Sequence, residues 1–423
     1  MSDTTGNGPV LAADGTPLKR SLAHALRREK TRALLLIAPL LLFVLISFIF
    51  PIGSMLFRSV ENDIVADTLP LTVVELAKWD AKSGELPGEN VFSAMAVDMV
   101  AAVKAKAHTR LGSRLNYEQT GFSSLFRKSG RQIKKWDVPN DGPYKEKFLA
   151  LHDGWGKIET WQLIQTYSGR YTSGYFLNAV DMQLTPDGPK AQPEDKQILI
   201  TLFKRTLFMS MVITVSSILL GYPVAWLLAN LPMRKANMLM ILVLLPFWTS
   251  LLVRTSAWKV MLQQQGVIND VLVWLGLVAD DSRLVMINNQ FGTIVAMTHI
   301  LLPFMILPMY SVMQTIPETY LRAAKSLGAT NWTAFWRVYF PQSIPGIGAG
   351  SILVFILSIG YYITPEIVGG TKGVFISNRI AYNISSSLNW GLAAALGAIL
   401  LAVVLVLYWA YDKIVGIDNV KLG

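Results

Sequence analysis

Cysteine is absent from the 423 residues of this chain, and histidine occurs only four times. Without thiols the chain can form no disulfide and offers no thiolate ligand to a metal. The histidines are His24, His108, His152 and His299, and their spacing matches no metal-ligand pattern. We therefore expect no metal site, no bound cofactor and no catalytic constellation in this chain.

A phosphate-binding loop is missing as well. The sequence contains no Gly-x-x-x-x-Gly-Lys-Ser/Thr motif, so we do not expect the chain to hydrolyse ATP itself. Charged residues make up only 16% of the chain, with a formal net charge of +10. Residues 58–200 contain 18 basic and 18 acidic residues, and this zero balance argues against a nucleic-acid partner. The basic surplus must therefore flank the apolar segments.

Long apolar runs dominate the remainder of the sequence. A helix needs about 20 apolar residues, at 1.5 Å rise per residue, to cross a bilayer. Six runs meet or approach this length, namely residues 33–53, 207–231, 236–258, 291–313, 347–363 and 390–411. The predicted fold class is therefore an all-α, polytopic membrane protein with about six transmembrane helices.

Lysine and arginine beside the spans predict the orientation, because positively charged flanks stay in the cytoplasm. Thirteen such residues lie on the side of the two termini and the loop between the fourth and fifth spans, against seven on the other side. Both termini and that loop are predicted to be cytoplasmic. The first apolar run is too long for a signal-peptide core and lacks a small-residue cleavage site, which favours an uncleaved anchor.

These features divide the chain into five parts. They are a basic, partly disordered cytoplasmic tail (1–32), the first transmembrane helix (33–57), a periplasmic insertion (58–200), a membrane core with five further helices (201–415) and a cytoplasmic C-terminus (416–423).

The insertion has the pattern of a small folded domain. Helical stretches are predicted at 71–78, 91–106, 144–152 and 158–167, separated by Pro-Gly and Asn-Asp-Gly-Pro breakers. Its four tryptophans are candidates for a hydrophobic core: Trp79, Trp136, Trp155 and Trp161. We expect a folded exterior domain that serves as a docking surface.

The segment from Tyr320 to Pro341 predicts two short helices between the fourth and fifth spans. Gly328 is placed to end the first helix, and Asn331 can cap the second. From Trp332 onward, aromatic side chains recur at helical spacing and form one apolar face. Pro341 disfavours helix at the residue before it, so the pattern predicts a separate aromatic helix about two turns long.

The same segment resembles the EAA loop of bacterial ABC-importer permease subunits. Ala323-Ala324, Gly328 and Val338-Tyr339-Phe340-Pro341 stand at that family's spacing, and Arg322 replaces its Glu. The resemblance implies that residues 317–345 are a coupling loop whose aromatic helix inserts into a groove of an ATPase subunit. The residues implied in coupling are Arg322, Ala323, Ala324, Gly328, Asn331, Trp332, Phe335, Trp336 and Pro341.

Residues 200–412 resemble, in particular, the permease subunits of spermidine/putrescine importers. Four motifs carry this likeness: Gly221-Tyr-Pro-Val-Ala225, Leu302-Pro-Phe-Met-Ile-Leu-Pro308, Ile363-Thr-Pro-Glu-Ile-Val-Gly-Gly370 and Asn389-Trp-Gly-Leu-Ala393. The resemblance implies a MetI-like ABC permease core in the bacterial inner membrane. Implied partners are a second permease, two ATPase subunits that use ATP and Mg, and a periplasmic solute-binding protein. The implied solute is a polyamine or a related amine or amino-acid derivative.

Two of the candidate pathway residues, Glu366 and Arg254, lie near the predicted outer ends of their spans. Glu366 follows Tyr361 and Tyr362, and a carboxylate beside aromatic faces suits a cationic solute. Arg254 and Trp248 belong to the third predicted span. The alternatives are a solvated loop position for Glu366 and an arginine that extends to the interface for Arg254.

Two other functions remain open on the sequence. A membrane-anchored periplasmic receptor or enzyme would place its function in residues 58–200, but would not need five further spans. A stand-alone secondary transporter should bury more ionisable residues than Arg254 and His299.

Overall fold

The computed structural model describes residues 18–138 and 140–415, and the chain forms two compact units that divide after Arg58. The first unit is a continuous helical run of α1 (Leu18–Val44), a π-helical segment (Leu45–Ile49) and α2 (Phe50–Arg58). Leu26–Arg58 is long and apolar enough to cross a membrane. This agrees with the first predicted span. The predicted tail before residue 18 and the end after residue 415 lie outside the described residues.

The second unit opens with the predicted insertion. Its elements are α3 (Asp63–Thr68), α4 (Pro70–Leu76), α5 (Glu89–Lys104), α6 (His108–Asn116), α7 (Phe122–Ile133), α8 (Tyr144–Leu151), α9 (Ile158–Thr166), α10 (Gly174–Ala179), β1 (Met182–Thr185) and β2 (Gly188–Ala191). The four predicted helical stretches correspond to α4, α5, α8 and α9. The antiparallel hairpin of β1 and β2 is an exception to the all-α prediction, and it forms around the breaker Pro186-Asp187.

A hydrophobic core of its own stabilises the insertion. Trp155 and Trp161 are fully buried, whereas Trp79 and Trp136 are partly buried and pack against the same hydrophobic cluster. The indole N–H of Trp155 donates to the Ser129 hydroxyl at 2.8 Å, and that of Trp161 donates to the Trp155 carbonyl at 3.0 Å. Truncating such a ring costs about 3–5 kcal/mol. The predicted tryptophan core is therefore confirmed.

The remaining helices form the membrane core. They are α11 (Leu199–Asn230), α12 (Met233–Leu244), α13 (Leu251–Met261), α14 (Val267–Trp274), α15 (Gln290–Gln314), α16 (Glu318–Ser326), α17 (Asn331–Ala334), α18 (Phe340–Gly360), α19 (Ile363–Val368), α20 (Gly370–Gly373), α21 (Ile376–Ser385) and α22 (Trp390–Val415). The centre consists of α11, α15 and α18. Close packing there requires glycine, because a Cβ on Gly350 would lie 3.0 Å from the Met305 carbonyl oxygen.

The structure agrees with the prediction of six spans only if a bent pair of helices counts as one span. Among the described residues, five helices are long and apolar enough to cross a membrane, and a sixth crossing requires a bent pair. That pair is the third predicted span, in which Met233–Trp248 and Leu251–Met261 meet at 94°. Pro246 lacks an N–H donor, and the Ser250 hydroxyl caps α13 by accepting from Val253 N at 3.2 Å. The chain therefore starts a new helix in a new direction.

Candidate functional site

The predicted coupling loop contains two helices, as expected, but a different residue caps the second one. After α16, Gly328 adopts a φ of +88°, a conformation that favours glycine and ends the helix. The Thr330 hydroxyl then accepts from Thr333 N at 3.2 Å. Asn331 is the first residue of α17, so its prediction as the cap is wrong. Thr330 can cap because its backbone is extended, which aims its hydroxyl at the free N–H groups of the first turn.

The aromatic segment is not a separate helix. α17 continues through a π-helical segment, Phe335–Tyr339, directly into α18, so that Asn331–Gly360 is one run. Pro341 lies in the first turn of α18 and does not end a helix, contrary to the prediction. Pro341 has no N–H for an i→i−4 bond, and it follows directly on the π-helical turn Phe335–Tyr339, where the regular α-helical bonding is already interrupted. The loop therefore continues into the fifth span without a break in the helical run.

The aromatic side chains divide into an anchored set and an exposed set. Phe335 stacks on Tyr339 with ring centroids 5.9 Å apart and meets Tyr222 of α11 edge-on at 6.2 Å. Trp332 and Trp336 pack against each other at 5.5 Å but remain 72% and 43% exposed. Leu327, at the turn before them, is 90% exposed. The predicted knob therefore presents its tryptophans outward, whereas Phe335 belongs to the permease core.

Arg322, at the position of the family's Glu, lies on the exposed face of α16. Its guanidinium pairs with Glu318 one turn earlier, and the two side chains are 75% and 76% exposed. An ion pair at this exposure contributes about 0–1 kcal/mol. Ala323 is exposed and Ala324 is half-buried.

The predicted pathway residues are only partly brought together. The Thr255 hydroxyl of α13 meets the Thr364 hydroxyl of α19 at 3.1 Å, which places Arg254 and Glu366 on adjacent helices. Arg254 lies close enough to Tyr361 to interact with it electrostatically. Trp248 stands before the bend and is 72% exposed.

Glu366 is not a freely solvated carboxylate. Its side chain is exposed, yet it accepts a hydrogen bond from Asn378 Nδ2 at 2.6 Å. The same amide also donates to the Tyr362 carbonyl at 2.8 Å, and the Tyr361 carbonyl accepts from the Ser377 hydroxyl at 2.6 Å. Asn378 therefore fixes the position of both the Glu366 carboxylate and the Tyr362 backbone carbonyl. Sequence reasoning missed this amide, because it lies in another helix, α21.

Arg254 has an unusual environment. Its Nε is buried and has no hydrogen-bond partner among residues 18–138 and 140–415. His299 lies near it, and the His299 Nδ1 accepts from the Trp258 indole at 3.1 Å. The histidine is thus hydrogen-bonded within the helix packing.

A buried ion pair in the insertion was not expected from the sequence. Arg114 and Glu118, one turn apart on α6, pair at 2.6 Å with side chains only 6% and 4% exposed. The guanidinium also lies 4.9 Å from the Tyr167 ring centroid and 4.5 Å from that of Tyr175. Burial alone would lower the pKa of Arg114, but the adjacent Glu118 carboxylate, together with Tyr175 and Tyr167, outweighs burial, so that this pKa is raised. Burial raises the pKa of Tyr167 and of Tyr175, because it disfavours the charged phenolate.

Three contacts join this region to the membrane core, and we call them the exterior joint. The Tyr117 hydroxyl donates to the Ser387 carbonyl at 2.5 Å, just before α22. Asp181 accepts from the first two N–H groups of α11, at 2.9 and 2.8 Å. The Tyr175 ring lies against Gly391, where a Cβ would clash with it. The insertion and the core therefore form one packed body in residues 59–415.

Several helices of bilayer length, among them the packed helices α11, α15 and α18, are typical of a multi-pass membrane protein. The family model for the binding-protein-dependent transport system inner membrane component matches residues 203–415, and the chain belongs to this family. It is an inner-membrane permease subunit of an ABC importer, a transport subunit rather than an enzyme. The receptor and secondary-transporter alternatives are thereby set aside.

Curated relatives support the same class. The spermidine/putrescine transport system permease protein PotB of Salmonella typhimurium is 34% identical over 212 residues, covering 49% of this chain and 73% of the relative. PotB of Escherichia coli K12 is 33% identical, covering 49% and 76%. The inner membrane ABC transporter permease protein YdcU of E. coli K12 is 32% identical over 262 residues, covering 59% and 82%.

Solved structures give more distant matches. One is a bacterial ABC transporter involved in the import of the acidic polysaccharide alginate, with 22% identity, a TM-score of 0.42 and coverage of 54% of this chain and 81% of that one. Another is an alginate transporter in complex with its pentasaccharide-bound periplasmic protein, with 20% identity, a TM-score of 0.41 and coverage of 51% and 77%.

Proposed function

We propose that this permease imports a polyamine of the spermidine/putrescine class. The observation that carries the proposal is the 34% identity to PotB over 73% of that protein's length. The four motifs quoted above extend across the matched region, from Gly221 to Ala393. The chain would form the solute pathway with a second permease, and a solute-binding protein would deliver the polyamine.

The exposed loop supports docking of two ATPase subunits on the cytoplasmic side. Leu327, Trp332 and Trp336 form an apolar surface of the kind that marks a protein interface. Both termini would also lie in the cytoplasm, and the insertion would lie in the periplasm. ATP and Mg would be bound by the ATPase subunits alone.

The continuous helix suggests how ATPase closure reaches the pathway. Trp332 and Trp336 would follow the ATPase, while Phe335 and Tyr339 hold the same segment against Tyr222 of α11. Since Asn331–Gly360 is unbroken, a shift at the tryptophans moves α18 as a rigid element. The movement would alternate access between the two sides of the membrane.

Glu366 suits an ammonium group at the outer end of this pathway. Its carboxylate is held by Asn378 and stands after Tyr361 and Tyr362, so that ion pairing and cation–π contact are both available. The carboxylate remains exposed to an arriving solute.

Arg254 favours a second candidate, an amine that also carries a carboxylate. Its Nε is buried and has no partner within the described part of the chain, and a carboxylate is the anion that a guanidinium group binds in bidentate geometry. An amino-acid derivative such as γ-aminobutyrate or an opine could satisfy Arg254 and Glu366 together. A simple polyamine would engage Glu366 only.

Solute-stimulated ATP hydrolysis by the reconstituted complex distinguishes these candidates. Spermidine, putrescine, γ-aminobutyrate and an opine would be compared, each with uptake into vesicles. Glu366→Gln should reduce polyamine uptake about tenfold, which corresponds to one lost ion pair. Arg254→Gln should reduce uptake only of carboxylate-bearing solutes.

The matched control is Glu194→Gln, at an exposed position of the insertion. It should leave uptake of every solute unchanged. Polyamine uptake that is insensitive to Glu366→Gln would remove this residue from the pathway. Stimulation by none of the amines would contradict the proposed substrate class.

A further inference from the structure

The zero net charge of the insertion conceals a strong segregation of charge. Residues 101–136 contain nine basic residues and one acidic residue, which leaves nine basic and seventeen acidic residues in the remainder of 58–200. Two of the charges in the basic segment are the buried pair Arg114 and Glu118. Every other charge in that segment is therefore positive.

The basic segment folds into an antiparallel helical hairpin. Gly112 of α6 lies against Phe126 of α7, and Gly130 lies against His108. Asn116 fastens the turn by accepting from Gly121 N at 2.9 Å. The apolar face of α7 is buried in the core of the insertion, so its charged face points outward.

This outward face is what we call the basic face. Its members are the exposed residues Lys104, Lys106, Arg110, Arg127, Lys128, Arg131, Lys134 and Lys135. Within the described residues none of the eight makes an ion pair, whereas at least five of the nine basic residues elsewhere in the insertion do. Leaving like charges together without counter-ions costs stability, so the basic face calls for a functional explanation.

A groove on the basic face could accept acidic side chains. It encloses about 440 Å³ and is lined by Arg127, Lys128 and Arg131, with Asn116, Ser123 and Ser124 at its polar end. Arginine forks and hydroxyl donors are the groups that bind carboxylates best.

The position of the hairpin favours a soluble partner over lipid. Its turn contacts the membrane core through Tyr117 and Ser387. From that turn α6 extends nine residues, or about 13 Å, toward Arg110 and the other distal basic residues. The basic face therefore extends from the groove, which begins beside the turn, to Lys134 and Lys135 at the end of the hairpin that is farther from the contact with the core.

We propose that the basic face binds an acidic surface of the solute-binding protein and steers its encounter with the permease. This inference rests on the proposed function, because it requires a periplasmic insertion and a delivered solute. Charges of this kind act chiefly on the rate and salt dependence of association.

The test measures ATP hydrolysis by the complete reconstituted complex against the concentration of its solute-loaded binding protein. Arg127→Glu/Arg131→Glu reverses two charges of the groove at helix positions that glutamate tolerates. At about 50 mM salt this variant should need roughly tenfold more binding protein for half-maximal stimulation. At about 0.5 M salt the difference should shrink, because the charges are screened.

The matched control reverses two exposed lysines outside the basic face, Lys157→Glu/Lys196→Glu. It changes the net charge by the same amount and should shift the half-maximal concentration less than about twofold. An equal shift in both variants would mean that only overall charge matters, and would overturn the proposal.

The lipid composition of the membrane distinguishes acidic headgroups from an acidic protein surface as the partner of the basic face. The measurements are repeated in nanodiscs of phosphatidylcholine and of phosphatidylglycerol. A shift confined to phosphatidylglycerol would assign the basic face to headgroups and overturn a protein partner.

An unchanged half-maximal concentration in Arg127→Glu/Arg131→Glu would overturn the proposal while leaving the importer intact. Absence of stimulation in the wild-type complex would contradict the proposed function itself.

Discussion

Two Arg–Glu pairs with the same spacing occupy opposite environments in this molecule. Arg114 and Glu118 on α6 are 6% and 4% exposed, whereas Glu318 and Arg322 on α16 are 75% and 76% exposed. Both pairs are one helical turn apart, although Arg precedes Glu in the first pair and follows it in the second. Spacing alone does not explain the difference in burial, which is set by the surroundings of each pair.

The buried pair belongs to the link between the insertion and the membrane core, and the exposed pair lies on the solvent-exposed loop before α18. Around Arg114 the phenol rings of Tyr167 and Tyr175 exclude water, and Tyr117 and Asp181 connect this region to the membrane core. Around Arg322 the neighbouring exposed groups include Leu327 and two tryptophans. The comparison teaches that the chain joins its insertion to the membrane core through buried polar contacts and leaves both charged and aromatic groups of the loop before α18 exposed.

Removing one member of the buried pair should have the largest effect on stability. Glu118→Ala leaves the Arg114 guanidinium buried without its anion, which costs about 3–5 kcal/mol. The expected result is a clearly lower unfolding temperature of the purified protein.

The double variant Arg114→Met/Glu118→Leu is the control, since replacing both charges by apolar groups is often nearly neutral. It should recover most of the lost stability. If Glu118→Ala unfolds at the wild-type temperature, the exterior joint does not depend on this pair.

Removing the exposed tryptophans should affect coupling and not stability. Trp332→Ala/Trp336→Ala is expected to lower solute-stimulated ATP hydrolysis about tenfold or more, because buried aromatic anchors cost at least about 2 kcal/mol at an interface. The unfolding temperature of the permease should change little, since both rings are exposed.

Trp274→Ala provides the control, because Trp274 is 83% exposed but lies on α14, outside the coupling loop. It should retain full stimulation. Normal hydrolysis in the double tryptophan variant would rule out docking through this surface.

A methyl group at the exterior joint should have an intermediate effect. Gly391→Ala pushes a Cβ into the Tyr175 ring, and overpacking of this kind costs about 1–3 kcal/mol. This cost is measured as a decrease in the free energy of unfolding or in the midpoint of the unfolding transition.

Gly397→Ala is the matched control in the same helix, because a Cβ there meets nothing within 4 Å. Adding Tyr175→Leu to Gly391→Ala should relieve part of the strain. Equal stability of the two alanine variants would show that the Tyr175 contact is loose.

The comparison extends to pH through Asp98, a buried carboxylate that has no cationic partner within residues 18–138 and 140–415. Asp98 accepts from Thr72 N and from the Thr72 hydroxyl, both at 2.7 Å, and burial raises its pKa despite these bonds. A raised pKa favours the protonated carboxyl in the fold, so this contribution to stability is complete below about pH 4 and is lost as pH rises through the raised pKa.

Asp98→Asn has no carboxyl group to ionise, so it does not lose this stability as the pH rises. Its unfolding temperature should exceed that of the wild type by more at pH 7 than at pH 4. Asp153→Asn, at an exposed position, serves as the control. A difference from wild type that does not change with pH would contradict this role of Asp98.

The smallest effect is expected at the exposed pair. Arg322→Ala should change stability by less than about 1 kcal/mol, because the pair is solvated and screened. A loss as large as that of Glu118→Ala would show that exposure does not separate the two pairs. Reduced hydrolysis with normal stability would instead assign Arg322 to the contact with an ATPase.

Several elements could be predicted because their signals are local. Bilayer-length apolar runs specify spans, the breaker at Gly328 specifies the end of α16, and the tryptophans of the insertion specify its core. Other elements could not. The 94° bend after Trp248 and the unbroken helix through Pro341 depend on packing that competes with local preference. Asn378 reaches Glu366 only through the fold.

The amino-acid sequence by itself determined a cysteine-free, multi-pass helical chain with a loop of defined spacing before its fifth span. Hydropathy and spacing are properties of neighbours along the chain, so they can be read without a structure. Only the tertiary structure decided which Arg–Glu pair is buried and which aromatic rings face outward. Burial depends on residues far apart in sequence: Tyr167 and Tyr175 cover Arg114, and Tyr222 anchors Phe335 while Trp332 stays exposed.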